Sequence, residues 1–336
     1  MSRIVRFHKF GDASVLKLEE VAEQAPKNDE LRIKVDAIGL NRAEVLFREG
    51  KYLERPPSFP SSIGYEASGT VTAIGSNVKD FKIGDKVSTI PAFSMSKYGV
   101  YGETAIVPVS AVAAYPKNLS AEEGTSIWMQ YLTAYGALIE YAKIKKGDFV
   151  LITAASSSVG LAAIQLTRAA GAIPIATTRT AKKKQVLLDA GAEAVIVTED
   201  ENLPERVRAI TSGHGADVIF DPVAGPYLDT LAEAAAQGAT IFVYGSLGSS
   251  GSLGSGQTPF PLIAALKKGL KVQGYTLFEI NSDPDKLKRA KKYVYEAIEK
   301  GQLKPIIAKV FPLEKIVDAH RYMESNQQLG KIVVKV

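Results

Sequence analysis

From Asp148 to about residue 276 the sequence repeats one alternation, in which a short apolar run without polar interruption is followed by a stretch with helical spacing. The apolar runs are FVLITAA (149–155), IPIATT (173–178), AVIVT (194–198), ADVIFDPV (216–223), TIFVYG (240–245) and LKVQGYT (270–276). Helical stretches lie between them at about 159–170, 181–190, 204–211, 226–236 and 260–268. Strands that lack polar alternation are buried on both faces, and helical crossovers make successive strands parallel. The pattern predicts an α/β fold whose doubly wound parallel sheet is of the Rossmann kind.

The first 120 residues read differently: short β-rich segments at 31–38, 67–74 and 86–90, punctuated by Gly39, Gly64, Gly69, Gly75, Gly84, Gly99 and Gly102. Frequent turns between short strands predict a compact barrel-like fold. A helix is expected over 121–143, with Glu122 and Glu123 near its start and Lys143, Lys145 and Lys146 around its end, as the macrodipole prefers. The second domain is expected to begin there. After the alternating region come an amphipathic helix at about 284–300, a strand at 304–311, a short helix at 313–324 and a strand at 331–336. These are expected to rejoin the first domain, giving 1–123 with 303–336 as one domain and 124–302 as the other. The stretch GSLGSSGSLGSGQT (245–258) reads as a flexible loop and a candidate lid.

Composition narrows the chemistry. The 336 residues are enough for two cores. Zero cysteine excludes a disulfide framework, an iron–sulfur cluster, a thiolate zinc site and a cysteine nucleophile. Nowhere do about 18 apolar residues run together, and the N-terminus has no signal-peptide core, so neither membrane insertion nor export is expected and cytoplasm is the default. The net charge of +5 suits an anionic ligand. Three histidines, one tryptophan and dispersed charge do not make a nucleic-acid surface. His8, His214 and His320 lack metal-ligand spacing and read as structural or surface residues.

The strongest local signal is the strand–turn–helix LITAASSSVGLAAIQLTRAAGA (151–172). Such a turn aims backbone N–H groups and the positive end of a helix at a pyrophosphate. Here Ser156, Ser157, Ser158 and Val159 precede Gly160, so serines stand where glycines are usual. About 20 residues on, the next strand ends in Thr178 and Arg179, followed by Lys182, Lys183 and Lys184. An acid at that strand end binds the ribose hydroxyls of NAD, whereas arginine accommodates a 2′-phosphate, so NADPH is expected over NADH.

Two further motifs, GLNRAEVLFREGKY (39–52) and GYEASGTVTAIGSNVKDFKIGDKV (64–87), together with WMQYLTAYGAL (128–138) and SNQQLGKIVVKV (325–336), complete a full-length resemblance. The chain resembles the zinc-independent, quinone oxidoreductase-like branch of the medium-chain dehydrogenases/reductases. The resemblance implies a GroES-like barrel as catalytic domain, a Rossmann cofactor domain and a substrate cleft between them. At the positions matching the metal ligands of the zinc alcohol dehydrogenases stand Asn41, Tyr65 and Gln130, which make no plausible metal set. Without a Lewis acid, reduction of a quinone or of the C=C bond of an α,β-unsaturated carbonyl is expected, the developing enolate being met by hydrogen-bond donors and then protonated.

By the same resemblance Tyr52 is the candidate proton donor, with water as the alternative source, and Asn41 positions cofactor or carbonyl. Gln130, Thr133, Ser156 to Gly160, Thr178, Arg179, Lys183, Phe278 and Lys331 match cofactor contacts. Asp221, Tyr244, Gly245 and Ser246, at strand ends, are expected to border nicotinamide or ribose, Asp221 alternatively forming a strand-end turn with Pro222. Tyr52 alternatively lines the site as a stacking residue, Glu44 reads as a solvated charge on a short helix, and Trp128 and Met129 read as core. The resemblance also implies a homodimer, with a tetramer as the alternative, pairing Rossmann sheets through the strand at 240–244. Alternative activities are a metal-free alcohol dehydrogenase or carbonyl reductase and an enoyl-thioester reductase. The non-enzyme alternative is an NADPH-binding crystallin-like or RNA-binding protein. Specificity is expected in loops at 52–62, 93–101 and 248–260.

Overall fold

Six strands form one parallel sheet in a computed structural model that describes residues 1–248 and 256–336. Across the sheet they run Ala194–Val197, Ile173–Thr178, Phe149–Ile152, Ala216–Asp221, Ala235–Val243 and Lys271–Gly274. The order reverses at Phe149–Ile152, the switch point of a doubly wound fold, as the apolar runs predict. Ile175, Leu151, Ile219 and Ile241 lie in register as one row across four strands. All four are fully buried, and Leu203, Val207, Leu228 and Leu231 of the crossover helices pack against them. That row explains why these runs tolerate no polar residue.

Two expectations are corrected here. The strand containing residues 240–243 is not an edge: it is paired on one side with Ala216–Asp221 and on the other with Lys271–Gly274, which is the edge. The helix expected over 121–143 is three pieces: Ala121–Gly124, Trp128–Tyr135 and a wider π turn, Gly136–Tyr141. Residues 249–255, which hold much of the glycine–serine loop, lie outside the described residues.

The chain divides into two compact units, Met1–Met129 with Pro305–Val336, and Gln130–Lys304. The first holds the β-rich part, a GroES-like domain. Its seven-stranded sheet runs Ile307–Pro312, Lys331–Lys335, Glu30–Gly39, Glu66–Ile74, Lys86–Thr89 and Val112–Ala114, with Thr104–Pro108 also on Glu30–Gly39. A smaller sheet joins Lys17–Val21, Ser2–Phe7 and Ser61–Ser62. Lys331–Lys335 runs antiparallel to Glu30–Gly39, with Val333 opposite Gly39, and Leu40 N–H bonds the Ile332 carbonyl at 3.0 Å. The last strand thereby delivers Lys331 to the start of the helix Arg42–Arg48. Among the described residues no helix is long and apolar enough to cross a membrane.

Candidate active site

Asn41 caps the helix Arg42–Arg48, and Glu44, three residues on, returns its carboxylate to the cap in a capping box. Asn41 N–H donates to Glu44 Oε2 at 2.7 Å, Asn41 Nδ2 donates to Glu44 Oε1 at 3.2 Å, and Tyr65 N–H donates to the same oxygen at 3.2 Å. Glu44 is fully buried, which corrects the reading of a solvated charge. Burial pushes its carboxyl up to about 7 against the opposing pull of the Lys331 charge and the Asn41 amide.

The ammonium of Lys331 donates to Asn41 Oδ1 at 2.5 Å and to Glu66 Oε2, while Glu66 Oε1 accepts from Met129 N–H at 2.8 Å. Both Lys331 and Glu66 are buried. A Cβ on Gly39 would sit 2.8 Å from Lys331 Cε and 2.4 Å from the Thr125 carbonyl, so this glycine makes room for the lysine stem. Asn41 Nδ2 also donates to the Gly39 carbonyl at 3.3 Å. Asn41 and Lys331, expected as cofactor contacts, thus have their polar ends bonded to each other, to Glu44 and to Glu66. A hidden carboxylate in the GYE motif was the one sequence signal for Glu66, which motif reasoning missed.

Tyr52 lies half-buried beside Tyr65, ring centroids 6.4 Å apart and edge to face, and the two side chains are hydrogen-bonded. Burial raises the Tyr52 phenol above its ordinary value, and the bond from Tyr65 opposes that rise. Tyr65 is itself held by Phe93, 5.7 Å away, and by Thr89 Oγ1, which donates to its carbonyl at 2.7 Å. Trp128 is core, its indole N–H bonded to Ser88 Oγ at 2.9 Å.

In the second unit the segment Ser156–Gly160 turns from the strand Phe149–Ile152 into a helix. Ser157 caps the 12-residue helix Ser158–Ala169, its Oγ accepting from Gly160 N–H at 3.0 Å. A Cβ on Gly160 would lie 2.5 Å from Ala155 Cα, so close helix–strand packing needs glycine there. Ser156 and Val159 flank the turn half-buried, and Ser156 Oγ accepts from Lys183 Nζ at 3.3 Å. Thr178 ends its strand buried, its Oγ1 donating to the Thr180 carbonyl at 3.2 Å, and Arg179 follows exposed. Burial and the neighbouring Arg179 charge lower the pKa of Lys183. Lys183, with the Arg179 charge near it, thus reaches the turn that leads into the helix Ser158–Ala169.

Gln130 is buried, and its Oε1 has no hydrogen-bond partner, while Thr133 follows one turn later, also buried. Asp221 is enclosed: Thr153 Oγ1 and, at 2.7 Å, Ala224 N–H donate to it, so it makes the strand-end turn. Burial raises its carboxyl. Tyr244 is half-buried and stacks on Phe220 at 4.1 Å, its hydroxyl oxygen enclosed without a hydrogen-bond partner. Gly245 and Ser246 follow it half-buried, and Phe278 opens the short helix Phe278–Asn281. A nicotinamide dinucleotide fits this unit: the turn with Lys183 suits its phosphates, and the orphaned Gln130 oxygen suits an amide N–H. Zinc does not fit the barrel residues, because Asn41 Oδ1 already faces an ammonium and Tyr65 supplies only a phenol.

Residues 27–155 match the model of the alcohol dehydrogenase GroES-like domain and residues 190–334 that of a zinc-binding dehydrogenase. The chain is 32% identical to a quinone oxidoreductase of Pongo abelii over 99% of this chain and 98% of the relative. The crystal structure of Escherichia coli quinone oxidoreductase complexed with NADPH superposes with a TM-score of 0.88 at 29% identity, covering 99% of this chain and 100% of that one. The CurK enoyl reductase superposes at 0.87 with 25% identity over 99% of each chain. With that identity carried over the full chain and both domain models matched in order, the chain belongs to the medium-chain dehydrogenases/reductases, as an oxidoreductase of the quinone oxidoreductase-like branch.

Proposed function

We propose that this enzyme is an NADPH-dependent reductase of quinones or of the C=C bond of α,β-unsaturated carbonyls, and that it works without zinc. The reading is supported, each unit taken by itself, by Lys183 reaching Ser156 in the turn before the helix Ser158–Ala169, with Arg179 nearby, and by the phenol of Tyr52 lying beside Tyr65 in the barrel. When bound, NADPH supplies hydride. Ser156 to Gly160 would hold the pyrophosphate, Arg179 and Lys183 the 2′-phosphate, and Gln130 Oε1 would accept from the carboxamide. Tyr52 Oη meets the substrate oxygen on which negative charge accumulates and delivers one proton. Asn41, fixed by the Lys331 ammonium, shares the Glu44 carboxylate with Tyr65 N–H, which ties these positions together.

The enzyme is further proposed to act as a homodimer. The unpaired edge Lys271–Gly274 and the neighbouring exposed apolar side chains Leu262, Ile263 and Leu266 support this.

The test is NADPH oxidation by purified, chelator-treated protein against 1,4-benzoquinone, 9,10-phenanthrenequinone, an alkyl enone, crotonyl-CoA and a simple aldehyde, with NADH as the cofactor control. Turnover of a quinone or enone with NADPH preferred is the expected result. Turnover of the aldehyde alone, or activity that follows bound zinc, would overturn it.

A further inference from the structure

Tyr65 stands at a position where the zinc-dependent relatives place a metal ligand, yet its side chain is occupied by another phenol. Its ring is buried and tilted against Phe93, its N–H is fixed to Glu44 and its carbonyl to Thr89. Tyr52, by contrast, sits on the irregular segment after the helix Arg42–Arg48 and remains half-buried. The hydrogen bond between the two therefore joins a fixed phenol to a partly exposed one.

We propose that Tyr65 is a positioning residue for Tyr52: its hydroxyl donates to Tyr52 Oη, which turns the Tyr52 proton outward and stabilises the phenolate left when that proton is transferred. The inference rests on Tyr52 being the proton donor. In the step concerned the Tyr52 O–H bond breaks and its electron pair stays on Oη. The proton bonds to the substrate, which carries one negative charge after gaining hydride and its two electrons, and water then reprotonates Oη. A donor already aimed at Oη costs no reorganisation at that moment. A buried O–H donating to a phenolate is a charge-assisted bond, stronger than the same bond to the neutral phenol. That difference favours transfer. The same geometry explains why phenol, rather than imidazole, is useful at position 65: it presents a donor that stays protonated over the whole working range, since burial raises its own phenol further.

The test uses Tyr65→Phe, which keeps the ring on Phe93 and removes only the hydroxyl. Loss of one hydrogen bond to a developing charge predicts kcat reduced by about tenfold, with KM for NADPH unchanged and a larger solvent isotope effect on kcat. Added to Tyr52→Phe, the same change has no further effect, because its target is gone. A readout free of turnover is the ionisation of 3,5-difluorotyrosine placed at position 52 and followed by fluorine NMR in the free protein. It titrates higher by about one pH unit when Tyr65 is Phe. An unchanged titration, or effects of the two substitutions that multiply, would overturn the inference while leaving Tyr52 as donor. Full activity of Tyr52→Phe would instead remove the donor assignment and this inference with it.

Discussion

Lys331 and Glu66, 265 residues apart in sequence, form an ion pair from which water is shut out, their side chains 0% and 1% exposed. The pair ties the last strand of the chain to the strand Glu66–Ile74, and the same ammonium fixes the Asn41 amide. Removing one partner of a buried pair strands the other charge. Lys331→Met is expected to lower unfolding free energy by about 3–5 kcal/mol. Adding Glu66→Gln should recover part of that loss, and urea unfolding of the single and double variants measures both.

Cofactor choice is predicted to reside in Arg179 and Lys183. A charge-assisted hydrogen bond to phosphate contributes about 1.5–3 kcal/mol, so Arg179→Ala should raise KM for NADPH roughly 10–100-fold. The value for NADH should stay within about twofold, since NADH has no 2′-phosphate to lose. Steady-state kinetics with both cofactors decides it, and equal losses for the two would place Arg179 outside the 2′-phosphate site.

Glu44 makes stability depend on pH. Its folded pKa, raised by burial to about 7 from 4.5, means that the folded state holds an extra proton between those values. Stability therefore falls as pH rises from about 4.5 through 7, by roughly 3 kcal/mol when the shift is fully expressed. Urea midpoints across pH 5 to 8 should show the decline. Glu44→Gln, whose side chain does not titrate, should flatten it even though its NH2 opposes one of the three donors and lowers stability overall.

Much of the second unit was legible in the sequence because its strands are buried on both faces, so each run is uniformly apolar and each crossover helix is amphipathic. The turn at Ser156–Gly160 and the basic end at Arg179 were legible for the same reason: their residue types are dictated locally. Contacts made across the sequence were not. The helix over 121–143 keeps its apolar spacing throughout, but Gly136 lies where a Cβ would meet Tyr275 Oη at 2.0 Å, and there the chain widens into a π turn. Glu44 looks solvated on a seven-residue helix because its extra donor, Tyr65 N–H, comes from the bend before the strand Glu66–Ile74, 21 residues away. The pairing of Lys271–Gly274 beyond the strand at 240–243 likewise depends on sheet order, which no single run encodes.

Ala154 carries a backbone strain that its sequence position does not announce. It sits in the phosphate turn at φ +45°, in the left-handed region, where a Cβ crowds the following carbonyl. Serines replaced glycines in this turn, yet the residue that most needs glycine's freedom is the alanine before them. Ala154→Gly relieves the crowding but widens the unfolded ensemble, and the two effects oppose each other. Left-handed backbone costs a non-glycine residue about 1–2 kcal/mol and glycine's extra unfolded entropy is worth roughly 0.4–1 kcal/mol, so the strain term is the larger. The variant is therefore expected to be more stable by about 0.5–1 kcal/mol, read as a higher urea midpoint at unchanged m-value. Because the turn keeps its N–H groups aimed along the same helix N-terminus, KM for NADPH should stay within about twofold. A lower midpoint would mean that neighbouring contacts, rather than residue type, hold Ala154 in place without strain.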